Sequence, residues 1–378
     1  MVGFCEVFDD VTKQGTKIPS NLYLKEGTYP IIDQGQADIA GYANTKEGLF
    51  TDVPAIIFGD HTRIIKYVDT PCFLGADGVK LLKAKDKKAN YKYLYYALCN
   101  VSIPNTGYNR HFKWLKEVEI PEYSTEKQNE IVEKLEKTDD LISLRKQQLA
   151  KLDELIKAKF VEMFGDMLLN PLIWPEKPLE SMAGIVSGIT KGRKTKSTEL
   201  FEVPYMAVSN VKDGYIDWTT VKTILATQSE IDQYRILPKD VLMTEGGDPD
   251  KLGRGAIIRE LLENCIHQNH IFRVRLDRGT ILPEFFSEYL QHQKAKRYFL
   301  RCAKQTTGIA SINMKQLRAL PVLLPPIGKQ GIFADFAERI RQQKLTIQQG
   351  LDKLEVLKKS LMQEYFGKGD MDEAIGGV

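Results

Sequence analysis

The chain repeats itself. Shifted by 202 residues, the sequence lays Lys127-Gln128 on Lys329-Gln330, and Glu162, Phe164 and Gly165 on Glu364, Phe366 and Gly367. Between these ends, Leu149, Lys151, Leu152, Leu155 and Lys157 fall on Leu351, Lys353, Leu354, Leu357 and Lys359. Residues 127–165 and 329–367 align without a gap, with 12 identities in 39 positions. An internal repeat constrains the fold before any local reading, because each copy must build the same supersecondary unit.

Both copies read as helix. Ile131, Leu135, Ile142, Leu149, Leu152 and Ile156 are spaced by threes and fours or their multiples, as are Phe333, Ile340, Ile347, Leu351 and Leu354. That spacing is a coiled-coil seam. Neither copy contains proline, and Gly165 and Gly367 are placed to stop the helices. A helix of this length runs to roughly 58 Å. Thr138, Arg145 and Lys344 interrupt the seams. Each helix is therefore poor alone, and antiparallel pairing of the two is expected.

The flanking segments repeat more weakly. DVPAIIFGDHTR (52–63) answers to KDVLMTEGGDPDKLGR (239–254), and PCFLGADGVKLLKA (71–84) to NCIHQNHIFRVRLD (264–277). Aromatic helical stretches follow at 92–98 and 284–290, then Thr106-Gly107 and Thr307-Gly308, then a strand-like run into proline and the Lys-Gln helix start. Short β-branched runs with Gly and Asp turns predict mixed α/β (α+β) globular domains. The expected order is a first domain over 1–122, a helix over 123–166, a second domain over 167–326, a second helix over 327–367 and a flexible tail over 368–378.

Composition narrows the class. At 378 residues and 43% apolar content the chain has room for more than one core. Its 53 Lys and Arg against 50 Asp and Glu leave +3, so any nucleic-acid surface must come from local charge. Cys5, Cys72, Cys99, Cys265 and Cys302 are odd in number and form no CxxC, which suits a reduced cytoplasmic setting. No apolar run reaches the length of a membrane span.

With its doubled order of elements, the sequence resembles the DNA-specificity subunits of Type I restriction-modification systems. The resemblance rests on Met163-Phe164-Gly165-Asp166, Asn170-Pro171 and Trp174-Pro175, on the proline-then-Lys-Gln entrances to both helices, and on the runs 240–254 and 307–326. It implies two target-recognition domains separated by two antiparallel coiled-coil helices in a pseudo-twofold repeat. It further implies a non-catalytic subunit without cofactor or metal that reads a split target in double-stranded DNA. The implied partners are two methyltransferase subunits, with restriction and translocase subunits in the full complex.

Candidate DNA contacts follow from local chemistry, since phosphates position and base edges specify. Lys191, Arg193, Lys194 and Lys196 form a basic Gly-containing loop, and Asn210 with Lys212 follows a strand-like stretch. Lys251 and Arg254 lie in a Gly/Asp-rich loop, and Gln305, Ser311 and Asn313 in a polar loop before the last strand. In the first half Asn105, Tyr108, Asn109, Arg110 and His111 hold the corresponding place, with Gln34, Gln36, His61 and Arg63 as weaker choices. Each of these also reads as an ordinary turn or a solvated loop. No Walker loop is present, and Asn170-Pro171-Leu172-Ile173 lacks the second proline and the aromatic of an adenine-methyltransferase motif. His267 with His270 lacks a second ligand cluster for a metal. Asp248, Asp250 and Lys251 read as a turn before they read as a nuclease site. Two rival readings remain at this level: the recognition part of a restriction enzyme whose catalytic half lies elsewhere, and a coiled-coil scaffold.

Overall fold

The computed structural model describes residues 1–367 except 76–77, 108, 195–198, 248–251, 261 and 307–308; at 305, 306 and 309 it describes the backbone alone. The chain divides into two compact units. Residues 1–147 with 348–378 make the first, and residues 148–347 make the second.

In chain order the first unit contains β1 (Val2–Gly3), α1 (Phe4–Val7), β2 (Phe8–Asp10), β3 (Tyr29–Ile32), β4 (Gly41–Ala43), β5 (Ala55–Gly59), β6 (Ile65–Val68), β7 (Phe73–Leu74), β8 (Val79–Ala84), α2 (Tyr91–Cys99), α3 (Phe112–Leu115) and β9 (Glu119–Ile120). Helix α4 (Thr125–Phe164) leads out of it. The second unit contains β10 (Glu176–Pro178), β11 (Ala183–Ser187), β12 (Phe201–Met206), β13 (Lys222–Ala226), α5 (Gln228–Tyr234), β14 (Val241–Thr244), β15 (Gly246–Gly247), β16 (Gly255–Ile257), β17 (Ile266–His267) and β18 (Ile271–Leu276). It continues through α6 (Pro283–Gln291), α7 (Gln293–Cys302), β19 (Lys304–Thr306), β20 (Ile309–Ser311), α8 (Met314–Arg318) and β21 (Pro321–Leu323) into α9 (Ile327–Phe366).

The two units share a topology. A four-stranded sheet ordered β2-β8-β5-β6 recurs as β11-β18-β14-β16, a three-stranded sheet β4-β3-β7 recurs as β13-β12-β17, and the pair β1-β9 recurs as β10-β21. In both three-stranded sheets the last pairing is parallel and the other antiparallel. Strands β5 and β14 are buried at every residue, so apolar residues occupy both faces and β-branched side chains suit the pleat. The Tyr93 hydroxyl donates to the Pro121 carbonyl and the Tyr289 hydroxyl to the Pro321 carbonyl, both at 2.6 Å. Helix α7 and the sheet β15-β20-β19 have no counterpart among the described residues of the first unit.

The repeated motifs have physical roles. Gln128 donates from Nε2 to the Tyr123 carbonyl and Gln330 to the Pro325 carbonyl, at 3.0 and 2.8 Å, tying each long helix to the chain that enters it. The preceding lysines sit over aromatic rings, Lys127 at 5.5 Å from Tyr365 and Lys329 at 5.3 Å from Trp174. At the far ends, Gly165 takes φ +74 and its N–H bonds to the Val161 carbonyl, closing α4 in the left-handed conformation that glycine adopts without strain.

The helices pair antiparallel within each unit. In the first, Asp139 bridges to Lys358 at 2.6 Å and Lys146 to Glu355 at 3.1 Å. In the second, Asp153 pairs with Lys344, and Phe160 packs on Phe333 at 5.4 Å between ring centroids. Ile131, Leu135, Phe333, Ile340 and Leu351 are buried, and Ile142, Leu149, Leu152, Ile156, Ile347 and Leu354 are half-buried. Leu152 and Ile347 line an open groove of about 440 Å³ between α4 and α9. Thr138, the polar break in the α4 seam, turns its hydroxyl back to the Lys134 carbonyl at 2.8 Å.

Helix ends enter the cores. Phe160 and Phe164 of α4 join Phe285 and Phe333 in the second unit, with Phe164 4.9 Å from Phe285 edge-on. Met362, Tyr365 and Phe366 of α9 join Tyr93, Ile131 and Leu135 in the first. Each fully buried aromatic contributes about 1.5–3 kcal/mol. Among the described residues, no helix is long and apolar enough to cross a membrane.

Candidate nucleic-acid interface

Topology gathers the candidate loops of the first unit at the strand ends of its two larger sheets. Because β3 and β7 are parallel, the turns after Ile32 and Leu74 emerge together, and Gly75 N–H donates to the Ile32 carbonyl at 2.7 Å. Because β5 and β8 are antiparallel, the turn after Gly59 meets the start of β8, and Asp60 N–H donates to the Gly78 carbonyl at 2.6 Å. The 105–111 loop joins through His111 N–H, 2.8 Å from the Asp60 carbonyl. Gln34, His61 and Asn109 thereby become neighbours. His61 N–H donates to Gln34 Oε1 at 3.1 Å, and its Nδ1 lies 3.2 Å from the Asn109 carbonyl. Gly78, at φ +84, has no room for a side chain, since a Cβ there would lie 2.7 Å from both Gln34 Nε2 and His61 Cδ2. Gln36, Asn105 and Arg110 are exposed on the same loops.

The second unit repeats the arrangement with different chemistry. Parallel β12 and β17 bring 207–210 beside 268–270, where Val208 N–H donates to Gln268 Oε1 at 3.2 Å. Glu245 N–H donates to the His270 carbonyl at 3.0 Å, and Ile312 N–H to the Glu245 carbonyl at 2.8 Å. These match the Asp60 to Gly78 and His111 to Asp60 bonds of the first unit. On the surface His270 Nδ1 lies 2.6 Å from Glu245 Oε2, and Asn269 Nδ2 lies 3.3 Å from His270 Nε2. Gln268, Asn269 and Glu245 were not among the expected contacts. Alignment of 264–277 with 71–84 was the available signal, because it sets 268–270 on the glycine turn of the first half.

Two expected contacts, Asn210 and His111, are corrected by their burial, and others are engaged in local bonds. Asn210 is fully buried, with Oδ1 accepting from Ala207 N–H and Nδ2 donating to the Asp217 carbonyl, both at 2.9 Å; it holds a turn and faces no groove. His111 is also fully buried, with Nδ1 2.9 Å from the Asp60 carbonyl. Asn313 caps α8 by accepting from Gln316 N–H at 2.9 Å. Arg193 is committed to Glu230, at 2.6 Å from Nε to Oε1, and this bond holds the Glu230 carboxyl down at about 2. Arg63 reaches inward to the Ile103 carbonyl at 3.2 Å. Ser311 lies in β20, paired with Gly246 and Lys304. Lys212 and Arg254 are half-buried, while Lys191 and Lys194 are exposed. Tyr108, Lys196, Lys251, the side chain of Gln305 and the tail at 368–378 lie outside the described residues.

His267 and His270 do not converge. His267 is buried, and desolvation, then the charge of Arg273, push its pKa down to about 3. Among the described residues no three His, Cys, Asp or Glu side chains gather as metal ligands.

A duplicated α/β unit, each copy offering a polar loop cluster at the ends of its strands and packed with parts of two 40-residue helices, defines a two-module recognition protein. The sequence profile described as Type I restriction modification DNA specificity domain matches residues 3–154 and 173–357, and the chain belongs to that family. It is 26% identical over 204 residues to the putative type I restriction enzyme MjaX specificity subunit of Methanocaldococcus jannaschii, covering 53% of this chain and 47% of that one. It is 23% identical over 202 residues to the type I restriction enzyme EcoKI specificity subunit of Escherichia coli, covering 53% and 42%. These matched stretches amount to about half the length of the curated relatives. The fold is similar to that of a Type I restriction-modification S subunit from M. genitalium, with TM-score 0.60 and 17% identity over 98% of this chain and 96% of the other. A chain from a study of assembly and conformational transition of the type I R-M system gives TM-score 0.52 over 97% and 96%.

Proposed function

We propose that the chain is the DNA-specificity subunit of a Type I restriction-modification complex. The observation that carries this reading is the pair of equivalent strand-end loop clusters with unlike polar side chains. Gln34, His61 and Asn109 gather on one, and Gln268, Asn269, His270 and Glu245 on the other. Residues 1–122 and 167–326 serve as target-recognition domains, each reading one half of a bipartite duplex target. The helices over 123–166 and 327–367 set the unread gap between the halves. The subunit works in the cytoplasm and performs no chemistry itself. It directs methylation by two methyltransferase subunits, and cleavage once restriction and translocase subunits join.

Exchange of residues 176–326 for the matching segment of another specificity subunit tests the reading. Methylated sites mapped in a host carrying the complete system are expected to change in one half of the target and stay constant in the other. A change in both halves would contradict independent reading, and methylation without sequence preference would favour the scaffold alternative.

A further inference from the structure

The second unit carries a run of cations without intervening acids. Between Glu288 and Asp335 the sequence has eight Lys and Arg and no Asp or Glu. Two of the eight are used locally: Lys294 bridges to Glu176 at 2.6 Å and Lys329 covers Trp174. Lys296 is half-buried and feels the charge of Glu288. The other five, Arg297, Arg301, Lys304, Lys315 and Arg318, are exposed, and no carboxylate pairs with any of them among the described residues.

These five lie on adjacent elements. Ala295 and Phe299 bury one face of α7, which turns Arg297 and Arg301 outward at i and i+4, and Lys304 follows, exposed, at the start of β19. Helix α8 packs beside α7, with the Tyr298 hydroxyl donating to the Gln316 carbonyl at 2.8 Å and Gln316 Nε2 to the Cys302 carbonyl. Lys304 opens the β19–β20 hairpin, whose second strand pairs with Gly246-Gly247 beside Glu245. The basic stripe therefore runs into the loop cluster of this unit. Charge counts agree: residues 167–326 hold 22 Lys and Arg against 17 Asp and Glu, whereas residues 1–122 hold 15 of each.

We infer that the α7–α8 face is a phosphate-backbone site that grips duplex DNA beside the half-site read by the second unit, so that the second unit supplies most of the sequence-independent affinity. This rests on the reading of the chain as a DNA-specificity subunit. Cations spread over α7, β19 and α8 suit a run of phosphates stepping along the duplex better than a point anion. The five side chains contribute charge without a carboxylate partner among the described residues, which grips a backbone and reads no base.

The test is the salt dependence of full-length chain binding to a labelled duplex of random sequence. Each lost phosphate contact lowers the slope of log K against log salt by about 0.9. The double variant R297Q/R301Q is expected to lower it by about 2 and to weaken binding on the order of 100-fold at 50 mM salt. R297K/R301K is expected to restore the slope, which separates charge from packing. An unchanged slope in R297Q/R301Q, with normal wild-type binding, overturns the site and leaves an acidic protein partner as the occupant of this face. Absence of salt-dependent binding by the wild-type chain overturns the specificity-subunit reading together with it.

Discussion

The Lys-Gln pair that opens both long helices uses the same residue at two different costs, and this difference can be measured. Gln330 is fully buried and makes three bonds: Oε1 accepts from Leu282 N–H at 2.9 Å, and Nε2 donates to the carbonyls of Pro325 at 2.8 Å and Thr280 at 3.2 Å. It thus holds the first turn of α6, the chain entering α9 and the loop before α6 together. Gln128 is half-buried, and among the described residues its amide makes one bond at the entrance of α4, from Nε2 to the Tyr123 carbonyl at 3.0 Å. Substitution by Met keeps the volume and removes the amide. Each buried group left without a partner costs about 1–3 kcal/mol, and a half-exposed one less because water replaces the lost bond. Leu282 N–H and the Pro325 carbonyl carry most of the penalty at the first site. Gln330→Met is therefore expected to cost about 3 kcal/mol and Gln128→Met about 1 kcal/mol. With a urea dependence of about 2 kcal/mol per molar, the midpoints fall by roughly 1.5 M and 0.5 M. Urea unfolding followed by hydrogen exchange assigns each transition to its unit. Equal losses at the two glutamines, or a loss below about 1 kcal/mol at Gln330, would refute the reasoning.

Two further outcomes are expected. His267 has a folded pKa near 3 against about 6.5 unfolded, so its share of stability is complete above pH 6.5 and is lost as pH falls toward 3. That amounts to about 2 kcal/mol at pH 5, and the fall in urea midpoint between pH 7 and 5 should be smaller in His267→Gln; an identical fall in both proteins sinks this account. Lengthening α4 by four residues after Gln147, roughly one turn, is expected to shift the permitted gap between half-sites or abolish binding, and an unchanged gap in the mapped sites rejects the helices as the spacer.

The frame was more legible than the loops because it is written in periodic signals. The 202-residue repeat located both helices, and the matches of 52–63 with 239–254 and of 71–84 with 264–277 located the equivalent strands β5 with β14 and β7–β8 with β17–β18. Strands of two residues, such as β1 and β17, are too short to show alternation. Polar turn residues mislead for a different reason: Asn210, Asn313 and His111 satisfy the backbone of their own turns, and a side chain that caps has the same composition as one that reads. One of these was readable, because Asn313 followed by Gln316 three positions later is a capping-box pattern. Arg193 required the partner Glu230, 37 residues away, which no local pattern announces.

Duplication in one chain yields two different surfaces because backbone bonds hold the loops. The N–H of Asp60 meets the Gly78 carbonyl and that of Glu245 meets the His270 carbonyl, while the two acidic residues accept at their own carbonyls from His111 and Ile312. None of these four bonds depends on a side chain. The side chains at the matched position are therefore free to diverge. The Asp60 carboxylate turns inward and accepts from Phe112 N–H at 2.7 Å, starting α3. The Glu245 carboxylate turns outward to His270, whose ring is more than half exposed. The corresponding helix α8 is started instead by Asn313, which releases the acid for the surface. One frame can thus carry two unlike polar loop clusters, and divergence at this pair of positions is what the proposed reading of two half-sites requires.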